Sequence, residues 1–259
     1  MRIFLAVMIF AAGISSPGWA ALKTQMIEYK QGDADLEGYL AYDDSLTGKR
    51  PGILVVHEWK GLNAYAKHRA DMLAQLGYVA FAADIYGKGV HPESIPDAAA
   101  ISSKFKADRL LLRARVNVGL DVLKAQPNVD QSNLAAIGYC FGGTAVLELG
   151  RSGADIKGIV SFHGGLSTPT PQDAKNIKAK VLALHGAADP FVKPDEVAAF
   201  EKEMTDAKVN YHLIKYPGAM HGFTNPANQN NPPGALYNEA ADKASWIEMQ
   251  KFFKEIFTS

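Results

Sequence analysis

Cys140 is the single cysteine of the chain, and it stands in AIGYCFGG, residues 136–143, between glycines and directly after an apolar run. Gly138-Tyr-Cys140-Phe-Gly142 fits the G-x-nucleophile-x-G turn from a strand into a helix, with Cys in the Ser position. Such a turn leaves no room for a Cβ beside the nucleophile, whose side chain must project from strained backbone. A helix beginning there sets its N-terminal dipole under Cys140, which favours a thiolate and a developing oxyanion. The competing reading is a small, buried and unreactive Cys, a common role for this residue type.

Order along the chain favours chemistry. LHGAADPFV places Asp189 after an apolar run, and PGAMHGF supplies His221 further on, which reproduces the nucleophile, acid, histidine order of α/β-hydrolases. Asp189 would orient the imidazole of His221, which in turn would hold the thiol and protonate the leaving group. Singly, Asp189 before Pro190 could be a turn-former and His221 a loop histidine. Glu58 in VVHEWKGLN follows another apolar run, at the place where such a fold builds half of its oxyanion hole from backbone N–H. The N–H groups of Trp59 and Phe141 are therefore the two expected oxyanion donors. Alone, Glu58 would read as a solvated loop residue or helix cap; beside a thiol it can accept the proton.

The elements that must position these residues are legible as well. Extended segments TQMIEYK and LEGYLAY suit an amphipathic hairpin around Gly32 and Asp33, and apolar runs cover 53–57, 78–84, 134–139, 156–163, 180–186 and 210–217. Short continuous runs of this kind suit strands covered on both faces. Helices are expected over 64–76, about 97–125, 142–151, 194–206 and 235–257. Alternating strands and helices predict one α/β domain, a doubly wound and mainly parallel sheet flanked by helices. Glu58, Cys140, Asp189 and His221 would then gather at the carboxyl ends of strands, where open sheets place their ligands. The polar, proline-interrupted NPANQNNPPG, 225–234, is expected to rim the pocket.

Composition excludes other classes. Of 259 residues, 47% are hydrophobic and 21% charged, with 27 basic against 27 acidic side chains, so neither disorder nor a nucleic-acid surface is indicated. Residues 1–20, MRIFLAVMIFAAGISSPGWA, carry Arg2, an apolar stretch and small residues at Gly18 and Ala20, the pattern of a secretory signal peptide cut at Ala20–Ala21. An uncleaved anchor would need about 20 apolar residues without Ser15, Ser16 and Pro17 interrupting. Cleavage removes Arg2 and leaves 26 basic and 27 acidic residues, a net charge of −1 on a soluble domain spanning 21–259. The expected location is periplasmic or secreted, with no membrane partner after the cut. In an oxidising compartment cysteines usually come in pairs, so a lone Cys140 is either inert or retained for its reactivity.

These motifs resemble the dienelactone hydrolase family, the cysteine-nucleophile branch of the α/β-hydrolase superfamily. The resemblance runs from HEWKGLN through ADIYGKG, GYCFGG, HGAADPFV and HGFTNP to the last helix. It implies a Cys140, Asp189, His221 triad, with Glu58 helping to generate the thiolate once substrate is in place. It further implies hydrolysis of lactones or esters through an acyl-enzyme, carboxymethylenebutenolidase-type chemistry, without metal or organic cofactor. Departures concern the substrate. Opening of 4-carboxymethylenebut-2-en-4-olide uses arginines that hold the substrate carboxylate and a serine after the histidine. Here Lys88 stands where the resemblance puts the first arginine, Gly222 follows His221, Asn225 replaces the second arginine, and Lys60 replaces an aromatic. A lysine offers a point charge instead of a bidentate fork.

The expectation is an exported thiol hydrolase acting on a small ester or lactone, with Lys88, Tyr86 and Phe223 as substrate-binding residues; as aromatics, the last two could equally be core. A broad-specificity carboxylesterase or an acyl-transferring relative is the alternative among enzymes, and pocket chemistry would discriminate them. A redox or binding protein with a vestigial triad predicts oxidation of Cys140 without ester turnover. A metal hydrolase is disfavoured: His57-Glu58 is followed by Trp-Lys-Gly, without a second histidine at helical spacing. His163 and His185, each ending a run before Gly, read as structural or pocket-wall residues.

Overall fold

A computed structural model describes residues 21–258. The expected signal peptide, residues 1–20, lies outside the described residues. Strands β1 (Leu22–Gln31) and β2 (Ala34–Asp43) form an antiparallel hairpin whose turn uses Gly32 at φ 57°, a left-handed conformation that costs glycine little. Next come β3 (Arg50–Val56), α1 (Ala64–Gln75), β4 (Val79–Ala83), α2 (Ile95–Ala107), α3 (Arg109–Lys124) and β5 (Val129–Tyr139). The second half comprises α4 (Phe141–Arg151), β6 (Gly158–Phe162), a 3-10 turn at Pro171–Asn176, β7 (Lys180–Gly186), α5 (Pro194–Asp206), β8 (Tyr211–Tyr216) and α6 (Glu239–Thr258).

All eight strands join one sheet in the order β1-β2-β4-β3-β5-β6-β7-β8. From β4 through β8 every neighbour is parallel, and β2 is antiparallel to both of its neighbours, β1 and β4. The alternating strand pattern sends Leu54 and Val56 into a core with α3, α4 and α5, and Ile53 and Val55 into a second core with α1 and α6. This is the doubly wound α/β-hydrolase fold. Both faces are dry, which is why the central strands read as continuous apolar runs.

Two element boundaries differ from expectation. The long helix expected over about 97–125 is two helices, parted at Asp108 (φ −105°, ψ 85°), whose carboxylate accepts the Leu111 N–H and so caps α3. The last helix starts at Glu239 instead of 235, because the N–H groups of residues 236–238 are spent on hydrogen bonds to the His221–Asn228 loop. The turn at Pro171–Asn176 is a further element beyond those expected.

Candidate active site

Cys140 sits between the end of β5 and the first residue of α4, at φ 53° and ψ −112°. A left-handed conformation at a non-glycine residue is strained and persists only where its surroundings hold it. The neighbouring glycines are required by contact: a Cβ on Gly138 would overlap the Gly142 carbonyl, and one on Gly142 would overlap the Val56 carbonyl. The elbow therefore nests directly against the end of β3.

His221 and Asp189 arrive from two other loops. His221 Nε2 lies 3.0 Å from Cys140 Sγ, and its Nδ1 lies 2.7 Å from Asp189 Oδ2. The other carboxylate oxygen of Asp189 accepts the N–H groups of Phe191 and Val192, which fixes its orientation. Burial pulls the imidazole pKa of His221 down, but the adjacent Cys140 and Asp189 outweigh it and push it up to about 10. The three expected triad residues are thus brought together in hydrogen-bonding order.

Glu58 lies on the same cleft, but its carboxylate is hydrogen-bonded to Asn225 Nδ2 at 2.5 Å, and it makes no hydrogen bond to Cys140. Burial raises the Glu58 pKa, an effect that Asn225 and the charges of His221, Arg69 and Lys60 oppose. In this geometry the group within hydrogen-bonding distance of the Cys140 sulfur is His221 Nε2, not the Glu58 carboxylate. Asn225, which the sequence marks as a rim residue standing in place of an arginine, is the partner that holds Glu58.

The expected oxyanion donors are free to act. The N–H groups of Trp59 and Phe141, both cleft residues, have no hydrogen-bond partner among the described residues. The peptide carrying the Trp59 N–H is anchored from its other side, since the Glu58 carbonyl faces His57 Nδ1 at 2.6 Å and accepts from Gly61 N–H at 3.2 Å. Ile85 N–H donates to His57 Nε2, so the ring proton is on Nδ1 and is donated to that carbonyl.

The cleft encloses about 580 Å³ and is walled by Trp59 and Lys60, by α2 through Ala99 and Lys106, and by Phe191 and the Asn225–Pro232 loop. The last matches the rim expected from NPANQNNPPG. Three expected substrate residues do not line it. Lys88 is turned to the outside of the sheet, paired with Glu28 and Glu37 of the edge hairpin. Tyr86 lies behind the cleft, against His57 and Phe141, and its hydroxyl donates to the Trp59 carbonyl at 3.0 Å. Phe223 is fully buried between His163 and Tyr216. Burial of the two rings follows from their apolar surface, worth roughly 2–3 kcal/mol each. No cluster of His, Cys, Asp and Glu with metal-binding geometry occurs among the described residues.

Known proteins resemble this chain in sequence and in fold. The model of the "Dienelactone hydrolase family" matches residues 36–257. Protein usf of Aquifex pyrophilus is 30% identical over 241 residues, covering 90% of this chain and 99% of that protein. A solved structure described as "m3DLH" has a TM-score of 0.89 at 40% identity, covering 92% of this chain and 99% of its own. A dienelactone hydrolase-like promiscuous phosphotriesterase from metagenomic libraries has a TM-score of 0.87 at 37% identity, covering 91% and 99%. With fold and sequence relatives in accord, the chain belongs to the dienelactone hydrolase family and is a hydrolase of ester or lactone bonds.

Proposed function

We propose that the protein is an exported thiol hydrolase that cleaves small esters or lactones through an acyl-enzyme on Cys140. The observation that carries the reading is the hydrogen-bonded series Cys140 Sγ, His221 Nε2, His221 Nδ1, Asp189 Oδ2, at 3.0 Å and 2.7 Å. Sulfur attacks the carbonyl carbon, and the π electrons move to oxygen, where the N–H groups of Trp59 and Phe141 receive the oxyanion. Collapse breaks the acyl C–O bond as the protonated His221 passes its proton to the leaving oxygen, giving a thioester. Water then adds, His221 takes its proton, and the C–S bond breaks to restore the starting pair.

Neutral esters are the favoured substrate class within this reading. Arg109, the arginine on the cleft wall, spends Nη2 on the Ser167 carbonyl, and its Nε and Nη1 are shut off from solvent. That leaves Lys60 and Lys106 as point charges and no open guanidinium fork for a carboxylate. A panel of p-nitrophenyl acetate, a neutral butenolide and an anionic dienelactone tests both steps. Turnover should vanish in Cys140→Ala, and the anionic substrate should be preferred by less than a hundredfold in kcat/KM, about 2.7 kcal/mol. Full activity in Cys140→Ala, or a larger preference, contradicts the reading.

Export is part of the proposal and has one point of support in the fold. Ala21 N donates to Asp43 Oδ1 at 3.1 Å. After a cut at Ala20–Ala21 that nitrogen becomes an ammonium on the same carboxylate, so the mature chain would begin with a ready partner. Intact mass of the protein recovered from the periplasmic or secreted fraction should equal that of residues 21–259; a full-length mass contradicts export with cleavage.

A further inference from the structure

Four non-glycine residues in the described chain have positive φ: Cys140 (53°), His163 (41°), Lys208 (57°) and Asn230 (60°). The first two touch each other. Cys140 N–H is shared between the Phe162 carbonyl at 3.0 Å and His163 Nδ1 at 3.1 Å. Neither ring nitrogen of His163 is idle, since Nε2 lies 2.7 Å from Thr224 Oγ1. Thr224 belongs to the loop that carries His221 and Asn225, and the rings of His163 and His221 are 5.5 Å apart in an edge arrangement.

We infer that His163 is a positioning residue, a neutral strut that fixes the spacing of Cys140 and His221 by holding the nucleophile's N–H on one ring nitrogen and the histidine loop, through Thr224, on the other. The inference rests on the thiol-hydrolase reading of Cys140.

Proton bookkeeping supports it. Nδ1 accepts from a backbone N–H, so the ring proton must be on Nε2 and be donated to the Thr224 hydroxyl. This holds only for a neutral imidazole. Complete burial keeps the His163 pKa well below its ordinary value, and the charges of His221, Arg69 and His185 push the same way. The far end of the strut is itself fixed. Thr224 Oγ1 lies 2.6 Å from the Tyr65 hydroxyl, and Arg69 donates to the Tyr65 hydroxyl at 3.1 Å and to the Thr224 carbonyl at 2.6 Å. Arg69 also pairs with Asp242 at 2.6 Å and is surrounded by the rings of Tyr65, Tyr139 and Trp246. The position of the catalytic pair is thereby referred to α1 and α6 on the far face of the sheet. A mispositioning of about 1 Å can cost on the order of a hundredfold in rate, which is the scale on which such a strut acts.

Thr224→Val keeps the shape and deletes the hydroxyl, and His163→Asn keeps an acceptor for Cys140 N–H in a residue that tolerates left-handed backbone while cutting the link to Thr224. Each should lower kcat for p-nitrophenyl acetate by about 10- to 100-fold, with KM little changed. The pH profile of iodoacetamide alkylation of Cys140 should move toward that of a free thiol. Thr224→Ser, which restores the hydroxyl, should recover rate and profile relative to Thr224→Val. Alkylation reads the thiol without ester turnover, so it tests the strut even if Cys140→Ala shows that hydrolysis does not need the thiol. Wild-type kcat and an unshifted profile in folded Thr224→Val would overturn the inference, as would a Thr224→Ser variant as impaired as Thr224→Val. If His163→Asn does not fold, the Thr224 pair carries the test.

Discussion

At the scale of single residues, the proposed chemistry turns on one imidazole hydrogen-bonded between the Cys140 sulfur and the Asp189 carboxylate. With its pKa pushed up to about 10, His221 stays protonated at neutral pH, as the proposed transfer to a leaving group requires. The sign follows from the raised value. The stabilisation that the charged imidazole gives the fold is complete below an unfolded pKa near 6.5 and is lost as pH rises through about 10. Activity should follow the same group: kcat/KM for a neutral ester should show no decline between pH 7 and 9 and should fall with a midpoint near 10. An alkaline limb centred near pH 7 would show that the imidazole is not paired in this way. Glu58 illustrates the opposite case. Its burial disfavours the carboxylate, and the hydrogen bond from Asn225 only partly offsets that cost.

At the scale of elements, the nucleophile turn works because β5 and α4 meet at a distance that only glycines permit. Gly142 packs on the carbonyls of Val56 and His57, the residues immediately before Glu58 and Trp59. One contact thus sets the separation between the nucleophile and the oxyanion loop. Gly142→Ala should force these strand ends apart, costing about 1–3 kcal/mol of stability together with most of the turnover. Chemical denaturation and ester assays would read both, and a fully active, equally stable alanine variant would mean the elbow is looser than its packing implies. The break between α2 and α3 matters in the same way. A single long helix would have carried Ile95, Ala99 and Lys106 in line with α3, whereas the cap at Asp108 frees α2 to wall the cleft.

For the molecule as a whole, the layers are tied together beneath the site by buried charge. Arg151, at the end of α4, is fully buried and binds Glu203 of α5 at 2.8 Å, Glu148 at 3.1 Å and the Leu166 carbonyl at 3.0 Å. Arg113 of α3 reaches Glu148 at 2.8 Å and Asp173 at 2.8 Å. This network clamps the nucleophile helix to the helix that follows the Asp189 loop. Removing Arg151 leaves the buried Glu203 carboxylate without this counter-charge, while Glu148 keeps Arg113, so Arg151→Met should cost roughly 3–5 kcal/mol. At about 2–4 °C per kcal/mol for a domain of this size, a thermal melt would detect it plainly. A shift below about 3 °C would show that the cluster relaxes or admits water.

Much was legible in the sequence because it is local. The elbow glycines, the motifs around Cys140, Asp189 and His221 and the apolar runs are each written within a few residues, and they predicted the sheet, the family and the meeting of those three side chains. The roles that only the tertiary structure decided belong to residues whose partners are far along the chain. Lys88 read as a substrate cation, but antiparallel pairing of the edge hairpin brings Glu28 and Glu37 beside it. Tyr86 sits two residues past an apolar segment and Phe223 two before a polar loop, where sequence cannot tell wall from core; packing placed both outside the cleft lining. Asn225 became the holder of Glu58, 167 residues away. His163 and Thr224 became a link between catalytic loops, 61 residues apart. Periodicity and motif record which backbone conformation a segment takes, since those preferences arise between near neighbours. Which polar group satisfies which is set by the closing of the sheet and its helices, where a buried donor must find an acceptor wherever the fold has brought one.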